Sequence, residues 1–422
     1  MRDKSRHDAS FPMNPVRTPL LSEAWITVLL LWPVIMLNYL DRMIFTTMKS
    51  SIMADLPDIG TESAWGSLMS AFLYGYGVMS LVGGYLSDRF SRRWVIILSL
   101  GLWSLVTWLT GRAQTYDQLW WARLAMGVSE ACYIPAGLAM IADYHSSRTR
   151  ARAVATHQSG MKTGQILGGF GGYVADSSYG WRFGFEWLGA FGVLYAVFLC
   201  WRLRNPPASS SAAGAPRAAS WLGSVREVLG IGAFILLLAY VTLPALPNWV
   251  IKSWMPAVLA DLFKLSQGHA GSSATLSVVL GTFAGLALGG WLSDRWQEKS
   301  ARGRIYVSSI GLTLCIPALV GVGASPNLAT AIAFLVLFGV GWGFFDTNTM
   351  PILCTIVRPQ LRATAFGLLN VVTVFVGGWA VDRMGAMRDA GQPQSLMFNL
   401  CALGAATSVL LVLFIKPKPS SS

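Results

Sequence analysis

The sequence predicts an all-α membrane protein of twelve transmembrane helices, arranged as two pseudo-symmetric six-helix bundles. Three observations predict it. The composition is apolar and poor in charge, twelve runs are long enough to cross a bilayer, and motifs of the first half return in order in the second.

Of 422 residues, 54% are hydrophobic and only 12% charged, where soluble domains carry roughly 25% charged residues. Mean hydropathy is +0.51. The 43 glycines and 18 tryptophans fit helices that pack closely in lipid and anchor at its interfaces. Five cysteines, Cys132, Cys200, Cys315, Cys354 and Cys401, lie within apolar runs at no paired spacing, so they read as packing residues rather than metal ligands or a disulfide framework. Residues 1–23 are polar and lack the short apolar core of a secretory signal, so the first apolar run is read as a span.

A helix needs about 20 mainly apolar residues to cross the hydrocarbon core. The candidate spans are 24–44, 63–86, 92–111, 118–141, 151–175, 184–201, 228–251, 269–293, 305–323, 327–352, 361–381 and 395–415. The segments between them alternate in charge. Those on the side of both chain ends hold 22 Lys and Arg, those on the opposite side 7, and 3 fall within spans. The positive-inside rule then puts both termini in the cytoplasm, in a multi-pass protein expected in a bacterial inner membrane. It also accounts for the net charge of +12 without a nucleic-acid partner. The Pro-, Ser- and Ala-rich stretch Asn205–Ser220 has no apolar face to bury and reads as a flexible linker. The organisation is thus a tail (1–23), a first bundle (24–203), a linker (204–226), a second bundle (227–415) and a tail (416–422).

The halves repeat one another. Gly84-Tyr-Leu-Ser-Asp88-Arg89 closes span two, and Gly290-Trp-Leu-Ser-Asp294-Arg295 closes span eight. Glu130 stands five residues before Pro135 in span four, as Asp346 does before Pro351 in span ten. Asn38 and Arg42 are matched by Asn248 and Lys252, and Arg152-Ala by Arg362-Ala. Four matches in order at nearly constant offset mark an internal duplication.

The loop Gly84-Tyr-Leu-Ser-Asp88-Arg89-Phe-Ser-Arg92-Arg93 resembles the signature of the major facilitator superfamily, Gly-x-x-x-Asp-Arg-x-Gly-Arg-Arg, with Ser91 in place of the second glycine. The resemblance covers the whole chain and implies the major facilitator fold. It implies gating roles for Gly84, Asp88, Arg89 and Arg92 and for their second copy at Asp294 and Arg295. Asp88 would cap the start of span eleven, where a carboxylate at a helix N-terminus gains about 0.3–1 kcal/mol. Asn38-Tyr39-Leu40-Asp41-Arg42 and Arg123-Leu-Ala-Met-Gly127-Val-Ser-Glu130 resemble the anion:cation symporter branch, and Spinster-type transporters share both elements. Trp254-Met-Pro256 is similar to the branch's Trp-Leu-Pro.

A charge at mid-helix costs about 2.5–3.5 kcal/mol on insertion scales. Asp41, Arg42, Arg123, Glu130, Lys162 and Asp346 all fall within spans, so together they should pair or face a wet cavity. Arg123 and Glu130 are seven residues apart, on one helix face, and are expected to line one cavity. Asp41 and Arg42 are adjacent, so their side chains diverge by about 100° and each needs its own partner. Desolvation and a nearby cation act on a buried carboxyl in opposite senses, and alternating access changes both. Asp41 and Glu130 are therefore the candidates for proton coupling, a role the symporter resemblance also implies. Arg42, Arg123 and Lys162 are the cations for an anionic solute, with Lys252 a fourth if span seven runs longer. Tyr39, Asn38, Gln158, Asp346, Asn348, Asn370 and Trp249 complete the candidate substrate residues. The competing reading makes these charges fixed ion pairs between helices, and leaves Asp346 either a ligand or only the repeat partner of Glu130.

The prolines Pro135, Pro244, Pro247, Pro256 and Pro351 should bend spans four, seven and ten. The glycines of span five, Gly160 to Gly172, should permit close packing, and His157 reads as a packing residue. No phosphate loop, metal cluster or nucleophile–base pair is visible. The expectation is a monomeric, proton-coupled symporter of a small organic anion with no cofactor beyond the proton. The alternatives are a lysolipid or sphingolipid transporter of Spinster type, an exporter of small amphipathic compounds, or a non-transporting membrane receptor.

Overall fold

The computed structural model describes residues 20–205, 221–300 and 302–414. The tails at 1–19 and 415–422 and most of the expected linker, 206–220, lie outside the described residues. The first half is built from α1 (Leu20–Thr47), α2 (Lys49–Asp55), α3 (Glu62–Arg89), α4 (Arg92–Arg112), α5 (Tyr116–Glu130), α6 (Tyr133–Tyr144), α7 (Ser147–Gly169), α8 (Gly171–Asp176) and α9 (Gly180–Arg202). The second half contains α10 (Trp221–Leu229), α11 (Gly232–Phe263), α12 (Gln267–Lys299), α13 (Gly303–Gly323), α14 (Leu328–Ile356), α15 (Arg362–Asp389) and α16 (Gln394–Leu413).

Among the described residues, eleven helical stretches are long and apolar enough to cross a membrane. The remaining span, α7, is a 23-residue helix that packs between α1 and α12. Arg148, Arg150, Arg152, Lys162 and several amides lower its hydropathy without shortening it. Apolar side chains such as Leu98, Leu194, Trp201, Leu403 and Leu410 stand on the outer surface, as a lipid-facing wall requires.

Several boundaries differ from those expected. Span seven runs to Phe263, so Lys252 sits inside α11 rather than in a loop. Span eleven runs to Asp389 and carries Arg383 and Arg388 within α15. Span four is two helices, α5 and α6, interrupted at Ala131 and Cys132. Pro135 has no N–H to donate to the Ala131 carbonyl, which is what breaks the ladder there. By contrast, α11 and α14 continue through their prolines. Helix α10 crosses the expected linker boundary at 226/227. Starts are set by side-chain caps: Thr61, Thr115, Ser266 and Asn327 each accept from an amide three residues on.

The glycines of span five face two partners. A Cβ built on Gly164 would meet the Met36 carbonyl oxygen of α1 at 2.1 Å, while one on Gly172 would meet the Gln267 backbone of α12 at 2.5 Å. Gly164→Ala should therefore lower stability by about 1–3 kcal/mol or more through overpacking. Gly367→Ala, within α15 and with nothing within 4 Å of its built Cβ, should not lower thermal stability in detergent and should raise it by up to about 0.5–1 kcal/mol.

The halves meet along α3–α15 and along α7 and α8 against α12. Polar ties between them gather at the end of the bundle away from the start of α1. Glu62 accepts from Arg388 Nε at 3.1 Å and from Lys49 Nζ at 2.6 Å, and Arg388 also pairs with Asp261. Asp389 accepts from the amides of Glu62 and Ser63 at 2.9 and 2.8 Å. Gln267 donates to Asp176 at 2.8 Å. Burial holds the Lys49 ammonium below the usual lysine range, partly offset by Glu62. This end of the molecule is closed.

Candidate functional site

Between the halves lies a cavity of about 330 Å³. It reaches down to Phe366, near the start of α15 and half-exposed, and so opens toward the end where α1 begins. Its walls are helical stripes. Tyr39, Arg42, Met43 and Thr46 line it from α1, Trp342, Phe345, Asp346 and Thr349 from α14, and Phe366, Leu369, Asn370 and Thr373 from α15. All three sets have the i, i+3, i+4, i+7 spacing of one helix face. From α11, Trp249, Lys252 and Ser253 line the cavity, each 210 residues after Tyr39, Arg42 and Met43. The internal repeat thus sets an aromatic and a cation at one register in both halves.

The same geometry moves other candidates off the wall. Asn38 and Asp41 share an α1 stripe turned about 100° from the cavity residues, into the first bundle, and both are buried. Asn348 is fully buried and donates to the Phe344 carbonyl at 2.8 Å. Gln158 does not line the cavity, and its Oε1 is buried without a partner. These residues are therefore not on the cavity wall where a solute would sit.

Arg42 Nε donates to Glu130 Oε2 at 2.7 Å. Its guanidinium lies 4.7, 5.0 and 4.6 Å from the ring centroids of Tyr39, Phe72 and Tyr76, a cation–π enclosure. Glu130 is fully buried behind Arg42 and does not share the cavity wall with Arg123, contrary to expectation. Glu130 stands two turns, about 10 Å, along α5 from Arg123, at the height where it meets Arg42 of α1, while Arg123 lines the cavity. Asp41 takes a different partner, as the 100° divergence requires: the Thr107 hydroxyl of α4 donates to its Oδ2 at 3.1 Å and to the Trp103 carbonyl at 3.0 Å. Asp41 Oδ1 and Glu130 Oε1 are buried without partners.

Arg123 is buried, stacks over Phe45 and Phe72 at 4.3 and 4.9 Å, and reaches Met126 Sδ with Nη1 at 3.2 Å. Among the described residues it forms no ion pair, and the same holds for Lys162, Lys252 and Asp346. Lys252 Nζ stands 5.6 Å from the Trp249 ring. Lys162 lines a side chamber of about 30 Å³ that shares Gln165, Asn248 and Lys252 with the cavity. Gln165, Ser253, Thr46, Thr349 and Thr373 were not among the sequence candidates. The repeat offset picks out Ser253 from Met43, and the face spacing picks out the threonines.

Of the gating candidates, Arg89 is exposed, while Arg92 donates to the Ala139 carbonyl at 3.1 Å and pairs with Asp143. Asp294 pairs with Arg304 at 2.8 Å within its own half, and Arg295 lies over Trp291. Gly84 lies within α3, while the Asp88 side chain, and hence the expected cap, lies outside what is described. His157 Nε2 is 2.8 Å from the Tyr133 hydroxyl, and its Nδ1 is buried without a hydrogen-bond partner.

Two six-helix halves enclosing a charged cavity that is shut at one end define a membrane transporter rather than an enzyme. The chain belongs to the Major Facilitator Superfamily, whose family model matches residues 31–381. It is 26% identical to Protein spinster of Drosophila melanogaster over 87% of its own length and 60% of that protein's, so it spans less than two thirds of that relative. It is 23% identical to the probable L-galactonate transporter of Escherichia coli (strain K12) over 93% and 89% of the two chains. Among solved structures, a bacterial homologue of the human lysosomal transporter Spinster superposes with a TM-score of 0.75 at 21% identity, covering 93% of this chain and 95% of that one.

Proposed function

We propose that the chain is a proton-coupled symporter of a small organic anion, a sugar acid or similar carboxylate, in a bacterial inner membrane with both chain ends in the cytoplasm. The observation that carries this reading is two cations without an ion pair among the described residues, Arg123 from one half and Lys252 from the other, lining a single cavity. A guanidinium withdrawn from water without a bonded carboxylate is costly, and a solute carboxylate would supply that partner in fork geometry. Asn248, Asn370, Thr349 and Thr373 offer amides and hydroxyls to a polyhydroxy body. The sugar-acid substrate in the name of the Escherichia coli relative supports the same class.

Charge arithmetic supplies the coupling. Arg42, Arg123, Lys162 and Lys252 against Asp41, Glu130 and Asp346 sum to one positive charge with all three acids ionised and to two with Asp41 protonated, so each proton adds one charge for an anion to meet. A proton and a monovalent anion then enter together as a neutral pair. The Thr107 hydroxyl has one proton for two acceptors, Asp41 and the Trp103 carbonyl, and a proton on Asp41 would make good the shortfall. With the chain ends in the cytoplasm, the closed end faces outward and the cavity opens inward.

The test is uptake of labelled sugar acids into proteoliposomes. One pH unit, about 1.36 kcal/mol, should drive roughly tenfold accumulation for one proton per monoanion. No response to the gradient for any acid tried would overturn the coupling.

A further inference from the structure

We propose that the side chamber between α7, α11 and α12 is a subsite for the second acid group of the substrate, so that the preferred solute is a diacid. This rests on the organic-anion reading above and narrows it. The chamber brings together Lys162 from the first half and Lys252 from the second, neither in an ion pair among the described residues. The charged group within electrostatic reach of both lysines is Asp346, which leaves the trio one positive charge in excess. Thr275, 5% exposed, lines the chamber, and its hydroxyl, beside Gly169 of α7, is buried with no hydrogen-bond partner; Gln165, also 5% exposed, lines both chamber and cavity. The charged side chains that line the chamber are thus both cations.

Size selects what fits. A water-sized group needs roughly 10–15 Å³, so about 30 Å³ takes about two such groups. That matches the two oxygens of a carboxylate and excludes a sugar skeleton, whose body belongs in the cavity of about 330 Å³. Arg123, on the first half's wall of that cavity, is a second positive centre without an ion pair among the described residues. A solute with an acid group at each end satisfies both centres, while a monoacid leaves one unmet.

Binding to the purified full-length protein in detergent tests this with two acids of one six-carbon polyhydroxy skeleton, carrying one carboxylate (the aldonate) or two (the aldarate). The wild type should prefer the aldarate by about 10- to 100-fold, the range of one charge-assisted contact. Lys162→Gln should bring the ratio to within about twofold of unity, and Lys162→Arg should keep most of it. Lys252→Gln, run in parallel, gives the same readout if Lys162→Gln does not fold. A wild type without aldarate preference, or a preference that survives both glutamine variants, overturns the subsite while leaving the organic-anion reading standing. Chloride raising aldonate affinity in place of a diacid preference also overturns it, because the chamber then serves a free ion. Binding of neither acid removes both readings.

Discussion

Replacing Arg123 by glutamine should abolish measurable uptake at substrate concentrations that saturate the wild type. Arg123 is a buried cation, held by aromatic faces and a thioether and without an ion pair among the described residues. If a solute carboxylate completes it, truncating that charge costs about 2–5 kcal/mol, or about 30- to 5,000-fold in affinity. Arg123→Lys keeps the charge but loses the planar fork, and should recover only part of the loss. The check is equilibrium binding of labelled substrate to purified variants of equal thermal stability. Undiminished affinity in Arg123→Gln would make Arg123 a structural cation stacked on Phe45 and Phe72.

Asp41→Asn should uncouple transport from the pH gradient. The variant should equilibrate substrate across the vesicle and exchange it in counterflow, yet lose the roughly tenfold accumulation per pH unit. The isosteric amide keeps the acceptor that Thr107 uses, so the fold should tolerate it. Glu130→Gln should also lose accumulation, but with a second effect. Removing one partner of a buried ion pair strands the other and costs about 3–5 kcal/mol, here the Arg42 guanidinium held at 2.7 Å. The two acids are thus separable: Asp41→Asn changes coupling with little change in melting, whereas Glu130→Gln changes both. Normal accumulation by both variants would make the acids structural.

The spans, the two-fold repeat and the cavity register of α1 and α11 were legible along the chain because each is a local or periodic property. Twenty apolar residues make a span wherever they stand, and the recurrence of Arg42 as Lys252 carries the cavity register across the halves. Span ends were read short at Lys252 and Arg388 because a helix can continue past its apolar stretch when its charges reach a cavity, as Lys252 does, or find partners. Arg388 finds Glu62 and Asp261, neither adjacent in sequence. The break ahead of Pro135 was expected as a bend, because sequence locates the missing N–H but not how the helix accommodates it.

The sequence by itself determined that six charges lie inside spans and that Asp41 and Arg42 point to different neighbours, since a helix turns about 100° per residue. Only the tertiary structure decided which neighbours these are: Thr107 for Asp41, and Glu130 for Arg42 rather than for Arg123. It also separated Asp346 on the cavity wall from its buried repeat counterpart Glu130, and brought Lys162 beside Lys252 in one chamber. Those pairings depend on which helices touch and at what height, a result of packing glycine-lined faces against one another across the whole chain. Spacing along a single helix does not encode it.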